Sequence, residues 1–498
     1  MAISLESIDA VFSGMVAATE KILFFSVGNI PLIILWMLAG GIFFTFRTGF
    51  ISIRGFTHAV QIICGKDDAS HHEGDLSSYQ ALATALSGSV GLGNIAGVAI
   101  AIQMGGPGAV FWMTVAALLG MSSKFVECTL GMKYRTVNPD GSLAGGPMYY
   151  LAGGLSDLGL PKLGKILALF FAFFGIGAAL GGGNMFQSNQ AFAALANAMP
   201  LARDYDWLFG ICAAFLVGLV ILGGINRISA VASRLIPTMV TIYIVACLWV
   251  LGMKFTEIPS AIMLILERGM SPEALTGGLV GALVQGIRRS AFSNNAGLGF
   301  AAIAHATAKM KEPVREGIVA ILEPFVDTVV ICNLTALVVI ISGMYGSQTL
   351  EVGSGSEIVA LAFGTVIDWF GLLLTVIIFL FAFSTTIAWS YYGERCWAYL
   401  FGESSVGIFK LLFLLCIFGG AVVNLGAIVD FSDMMLLATA IPNLIGCILL
   451  SGKVVVDLRN YWKFERLTLP LPLERSQREF QNFATTSQAT IDKTITPE

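Results

Sequence analysis

The sequence predicts an all-α polytopic membrane protein, and three observations carry that expectation. Of the 498 residues, 56% are hydrophobic and only 12% are charged, with mean hydropathy +0.81. A soluble domain carries about twice that charged fraction, so the polar surface is too small to cover a water-soluble body of this size. Apolar stretches near the roughly 20 residues needed to cross a bilayer recur along the whole chain. Two of those stretches carry the same Gly-Leu-Gly triplet, Gly91-Leu92-Gly93 and Gly297-Leu298-Gly299, among Ser and Asn.

The remaining composition excludes several classes. Net charge is −4 with no basic block at either end, so no nucleic-acid partner is expected. The eight cysteines form no Cys-x-x-Cys pair and read as small apolar fillers. Four histidines are too few and too scattered for a metal site, and His71 and His72 sit in a polar loop. The N-terminus lacks the basic start and small-residue cleavage site of a secretory signal peptide. No Gly-x-Ser-x-Gly elbow and no paired catalytic acids in one motif appear, so no enzyme is expected. No polar stripe runs end to end along a span, which argues against a channel.

Apolar runs bounded by charges predict about eleven spans: residues 30–46, 80–103, 108–132, 163–197, 207–223, 236–252, 277–306, 317–342, 365–391, 408–428 and 434–451. The glycine-rich segment 145–154 is too short to span and is expected as a re-entrant or interfacial piece. The expected organisation is an N-terminal segment, 1–79, with one extra helix at about 30–46; a first five-helix repeat, 80–253; a second, 277–451; and a polar cytoplasmic tail, 452–498. With the N-terminus outside, inner loops carry Arg47, Arg54, Lys66, Lys133, Arg135, Lys162, Lys165, Arg227, Arg234, Lys309, Lys311, Arg315, Arg395, Lys410, Lys453 and Arg459. Outer loops carry only Lys21, Arg203, Lys254 and Arg268, and the loop at Asp430–Asp433 has no Lys or Arg. This asymmetry predicts an outside N-terminus and a cytoplasmic C-terminus.

The two triplets lie in the second and seventh predicted spans. Five spans separate their starts, an odd number, so the copies enter the membrane from opposite sides. That is the pattern of an inverted repeat. Phe125-Val126-Glu127 and Phe325-Val326-Asp327 echo each other in the following spans. The second span also holds Ser87, Gly88, Ser89 and Asn94, and the seventh holds Ser290, Ser293, Asn294 and Asn295. Such residues form helix poorly. Opened backbone in hydrocarbon costs several kcal/mol per unpaired group unless it faces protein or a cavity. A carboxylate on freed N–H groups and a cation on freed carbonyls satisfy it. Two broken helices at membrane depth therefore predict a carrier with its site at the breaks. The alternative reading, glycines for close helix crossing, accounts for one cluster better than for two related ones.

At these residues the chain resembles the alanine/glycine:cation symporter family. The stretches that carry the resemblance are Gly91 to Ala99, Gly105 to Met113, Gly145 to Tyr150, Phe292 to Gly299, Ile303 to Ala306, Leu322 to Thr328 and Tyr392 to Arg395, in the family's order. The resemblance implies sodium-driven, in some members proton-driven, uptake of alanine or glycine, and a leucine-transporter-like fold of two inverted five-helix repeats. It implies no cofactor beyond Na+ as coupling ion. By the leucine transporter's ion motifs, the carbonyls of Ser87 and Val90 with the hydroxyls of Ser384 and Thr385 would hold one sodium. Ser89, Asn94 and Ser293 would hold a second. Substrate contacts are expected from Ser89, Gly91, Gly93, Ser293, Asn294 and Asn295, with hydrogen bonds from Asn184 and Gln187 and apolar walls from Phe292 and Trp389. Family members often have Glu where this chain has Asn295, which removes a fixed negative charge beside the site.

Other charges at membrane depth are expected to pair. Arg288 and Arg289 precede the seventh-span break, and Glu323 and Asp327 lie four apart on the eighth span. An ion pair between the two sets is expected, with an arginine meeting the substrate carboxylate as the alternative. Lys124 and Glu127 are expected as a snorkelling pair, and His305 as a packing or gate residue.

Overall fold

A computed structural model describes residues 25–27, 30–64, 75–138, 141, 143–270, 278–344, 355–366, 370–423 and 425–468. The His71–His72 loop, the start of the N-terminal segment and the end of the tail lie outside them. The chain divides into two units, Met1–Ser451 and Gly452–Glu498, and every residue of the candidate site belongs to the first.

The described residues are mostly helical, with two short hairpins, Ser26–Val27 with Ile30–Pro31 and Thr136–Val137 with Leu143–Ala144. The helices used below are α1 (Leu32–Arg47), α2 (Ser78–Ser89), α3 (Leu92–Gly105), α4 (Gly108–Lys133), α5 (Pro161–Ala198), α6 (Pro200–Ile221), α7 (Gly224–Met253) and α8 (Ile258–Met270). There follow α9 (Gly278–Asn294), α10 (Ala301–His305), α11 (Pro313–Ser342), α12 (Gly355–Gly364), α13 (Phe370–Phe401), α14 (Glu403–Val422), α15 (Leu425–Ala438) and α16 (Ala440–Thr468). Among the described residues, eight helices are long and apolar enough to cross a membrane, and the bent pair α2/α3 makes a ninth.

Both expected breaks are present, and local chemistry explains each. A capping box of Ser77 and Gln80 starts α2. The helix stops after Ser89 and the axis turns by 57°. Val90 and Gly91 are non-helical, and Asn94 Oδ1 accepts from the Gly91 amide at 3.0 Å, replacing a lost helix bond. At the second break α9 ends at Asn294, and Asn295, Gly297 and Gly299 take positive φ (55°, 85° and 88°) before α10. Glycine adopts that region freely, and Asn is among the few other residues that visit it. A Cβ at Gly299 would sit 2.5 Å from Pro147, so close approach also demands glycine there.

Helix ends depart from the hydropathy reading for one reason: a helix does not stop where the apolar run stops. α7 starts at Gly224 instead of about 236, taking Arg227 and Arg234 into its first turns. α13 runs to Phe401 instead of about 391, with Arg395 bonded to Glu394 (3.1 Å) and Glu403 (3.0 Å). Asp430 and Asp433, expected in a loop, lie on α15. The tail after Gly452 is helical to Thr468. α8 was passed over because Glu257, Glu267 and Arg268 interrupt its apolar run. The 145–154 segment forms a short helix and a widened π turn. It packs against α10, just after the second break, with Cβ positions at Gly145 and Gly146 only 2.4 Å from Ala306 and 2.6 Å from Ile303.

Candidate functional site

The two breaks meet. Gly88 O, just before the first opening, accepts from Trp389 Nε1 at 2.7 Å and from Asn295 Nδ2, in the second opening, at 3.4 Å. Phe292 lies 3.2 Å from a Cβ position at Gly93 and also contacts Gly182. Around this junction Ser87, Ser89, Asn94, Asn184, Gln187, Ser293, Asn294, Asn295, Ser384 and Thr385 are all buried. Buried polar groups must find partners, and theirs define two clusters.

The first cluster brings together Ser87, Val90, Ser384 and Thr385, with the Ser87 hydroxyl in contact rather than the carbonyl expected from the sequence. Ser87 Oγ lies 2.7 Å from Ser384 Oγ and donates to Ser384 O at 2.6 Å, and Thr385 Oγ1 lies 3.5 Å from Val90 O. Gly91 allows the approach, since a Cβ there would sit 2.2 Å from Thr385 Oγ1. Hydroxyl and carbonyl oxygens are the hard donors a group 1 or group 2 cation takes.

The second cluster differs from the expected set. Asn94 Nδ2 donates to Ser293 Oγ at 3.2 Å, so two of the three residues of the expected set lie together. Ser89 instead bonds Leu86 O within its own helix at 3.4 Å. Asp327 joins Asn94 and Ser293 instead: Asn94 Nδ2 donates to its carboxylate, Ser293 Oγ donates to it at 2.5 Å and Thr328 Oγ1 at 2.9 Å. Asn294 Nδ2 donates to Thr328 Oγ1 at 2.9 Å. A buried carboxylate ringed by neutral donors carries no compensating cation among these partners.

The π turn of α5 (Gly181–Met185) faces the same junction. Gln187 Oε1 accepts from the Leu92 amide at 3.2 Å, the kind of freed N–H that suits a carboxylate. Asn184 turns elsewhere, its amide nitrogen donating to Phe413 O at 2.7 Å; its side-chain oxygen is buried with no hydrogen-bond partner among the described residues. Of the two aromatics, Phe292 stacks edge-on against Phe186 with ring centres 4.9 Å apart. Trp389 presses on Gly183, where a Cβ would be 2.2 Å from the indole, and on Phe300 at 4.5 Å.

The expected arginine–carboxylate pairing is corrected. Arg289 bonds Asp433 on α15, and Arg288 Nε lies 3.5 Å from the same oxygen. Glu323 belongs to another network: Lys124 Nζ at 3.0 Å and His305 Nε2 at 2.6 Å, with His305 Nδ1 2.6 Å from Glu316. Lys124 is fully buried, so it does not snorkel, and Glu127 bonds Asn443 at 2.8 Å instead. The reason is topological. Each charge takes the buried counter-charge that helix packing brings to it, and Arg289 and Asp433 are 144 positions apart. Cys128, His305 and Glu323 also bring ligand atoms within 4.8 Å of one another. Lys124 already supplies the cation there, which disfavours a metal.

Comparison with known proteins bears on the whole chain. The sequence model of the sodium:alanine symporter family matches residues 11–469. The sodium/alanine symporter AgcS of Methanococcus maripaludis is 41% identical over 432 residues, covering 86% of this chain and 94% of that protein. The probable sodium/glutamine symporter GlnT of Bacillus subtilis is 33% identical over 433 residues, covering 86% and 87%. The crystal structure of MhsT in complex with L-phenylalanine shares the fold, with a TM-score of 0.56 at 13% identity over 76% of this chain and 89% of that one.

Proposed function

The chain belongs to the sodium:alanine symporter family, and from that premise we propose that it carries a small neutral amino acid, alanine or glycine, together with sodium by alternating access. Cation-coupled amino-acid symport by a multi-pass membrane protein, without catalysis, is the coarser statement that the family and relatives support.

The observation that carries the finer reading is the junction of two opened helices at Gly88, flanked by two oxygen-rich clusters. Sodium binds at Ser87, Val90, Ser384 and Thr385. A second cation binds at Asn94, Ser293 and Asp327, whose carboxylate supplies the charge that Asn295 lacks. The substrate carboxylate takes the amides of the first opening near Gly91 and Gly93, displacing the side-chain acceptors Asn94 and Gln187 that cover the Gly91 and Leu92 amides here. Phe292 packs close to Gly93 and Gly182, and Trp389 to Gly183, and these two rings are the apolar walls that limit the size of the substrate side chain.

In this reading α1 is the extra helix. The five-helix repeats are 80–253 and 277–451, and α1, α2/α3, α4, α5, α6, α7, α9/α10, α11, α13, α14 and α15/α16 make eleven spans with the N-terminus outside. A proton-coupled version of the same transport rests on one observation, His305 held between Glu316 and Glu323. Thermal melts with alanine, glycine, glutamine and phenylalanine in sodium, potassium or choline test the ligands. A ligand at 100 times its Kd adds about 2.7 kcal/mol of stability. Protection by alanine or glycine in sodium alone is expected; protection equal in all three salts contradicts sodium coupling.

A further inference from the structure

Asp327 reaches the second cluster through a distortion of its own helix. The stretch of α11 from Phe325 to Cys332 is widened into π turns, and Pro324 stands immediately before it. A proline inside a helix has no amide to give to the carbonyl one turn back, and its ring crowds that carbonyl, so regular winding is interrupted there. Widening changes which side chains share a face. In a regular α-helix of about 3.6 residues per turn, residues five apart point about 140° from one another. Here Asp327 and Cys332, five apart, meet the same atom. Ser293 Oγ lies 2.5 Å from Asp327 Oδ2, 3.2 Å from Thr328 Oγ1 and 3.2 Å from Cys332 Sγ. Asn94 Nδ2 likewise bonds the carboxylate and the carbonyl of Asp327, with Cys332 Sγ at 3.5 Å. Three side chains converge on the second break because the turn is wide.

A π turn is rare and is found mostly at functional sites. Asn333, the first residue after it, supplies what holds this one. Its Nδ2 donates to Val329 O at 3.0 Å and to Thr328 O at 3.2 Å, two carbonyls of the wide turn. The same nitrogen donates to Thr114 Oγ1 on α4 at 2.9 Å, and Thr114 Oγ1 donates to Val110 O at 3.0 Å. The pair therefore pins the wide turn to α4. Asn333 and Thr114 are half-buried, whereas Asn94, Ser293, Asp327 and Thr328 are buried. We propose that Asn333 and Thr114 are positioning residues for cation binding: they fix the wide turn that aims the Asp327 carboxylate at Asn94 and Ser293. Neither touches the ion; each acts through Asp327. The assignment rests on the transport reading above.

The test titrates sodium at fixed alanine in thermal melts of the unaltered protein, Asn333→Leu and Thr114→Val in detergent, and follows alanine uptake into proteoliposomes at saturating sodium. Groups that orient a ligating carboxylate commonly weigh about 10- to 100-fold in cation affinity, so the sodium midpoint should rise at least about tenfold in Asn333→Leu and by roughly threefold or more in Thr114→Val. The alanine KM at saturating sodium, and the melting temperature in choline, should stay near those of the unaltered protein. A sodium midpoint unmoved in both variants, with or without a fall in melting temperature, overturns the proposal and leaves transport standing. An alanine KM that rises as far as the sodium midpoint also overturns it, by showing a general disturbance of the site. If neither variant folds, hydrogen exchange of the unaltered protein decides. Sodium should slow exchange of the amides from 325 to 333, and exchange there that is indifferent to sodium overturns the proposal. Absence of any sodium effect on melting of the unaltered protein would instead sink the transport reading itself.

Discussion

At the residue scale, the account rests on oxygen atoms placed where a helix has opened. Thr385 Oγ1 faces Val90 O across the space that Gly91 leaves free. Thr385→Val keeps the shape and deletes the oxygen. A hydrogen-bond-strength contact to a charge is worth about 1.5–3 kcal/mol, so the half-saturating sodium concentration for uptake should rise at least about tenfold, read from a sodium titration. An unchanged sodium dependence would remove Thr385 from the ion site. Asp327→Asn should weaken sodium dependence as well, because it deletes the one carboxylate in the second cluster. Asp327 also shows what the sequence could and could not convey. Its depth and rarity marked it as a charge that must be paired, but its partners lie on helices far away in sequence. Asn94 is 233 positions distant. Spacing carries no information about which acid meets which base, and so the Arg288/Arg289 pairing with Glu323 and Asp327 failed. The Lys124–Glu323–His305–Glu316 network was unreadable for the same reason.

At the element scale, the breaks were legible because glycine, serine and asparagine at membrane depth conflict with both helix propensity and lipid. No such conflict marks a helix end in the headgroup region, and those boundaries moved by about ten residues at α7 and α13. The π turn at Gly181–Met185 had a signal, three successive glycines, that the hydropathy reading passed over. The second break depends on left-handed backbone at Asn295. Asn295→Ala should cost about 1–2 kcal/mol, since alanine visits that region only with strain, while Asn295→Gly should hold stability near that of the unaltered protein. Denaturation in detergent gives the order, and an Ala variant as stable as the Gly variant would contradict the assigned conformation. Gly183→Ala should abolish uptake, because its methyl would meet the Trp389 indole.

At the scale of the whole molecule, two opened helices from distant parts of the chain share one carbonyl, Gly88 O, and every polar group around it is buried. Relative movement of the parts that carry them would expose the ions and the substrate together, first to one side and then to the other. Coupling has an energetic scale: one charge moving through 100 mV releases about 2.3 kcal/mol, and the sodium concentration gradient adds to it. The most direct measurement is uptake of labelled alanine into proteoliposomes with an imposed inward sodium gradient, against vesicles with potassium or choline replacing sodium at constant pH. Accumulation above the equilibrium level only with the sodium gradient is the predicted result. The same accumulation with no sodium or proton gradient would contradict coupling at the junction of the two broken helices.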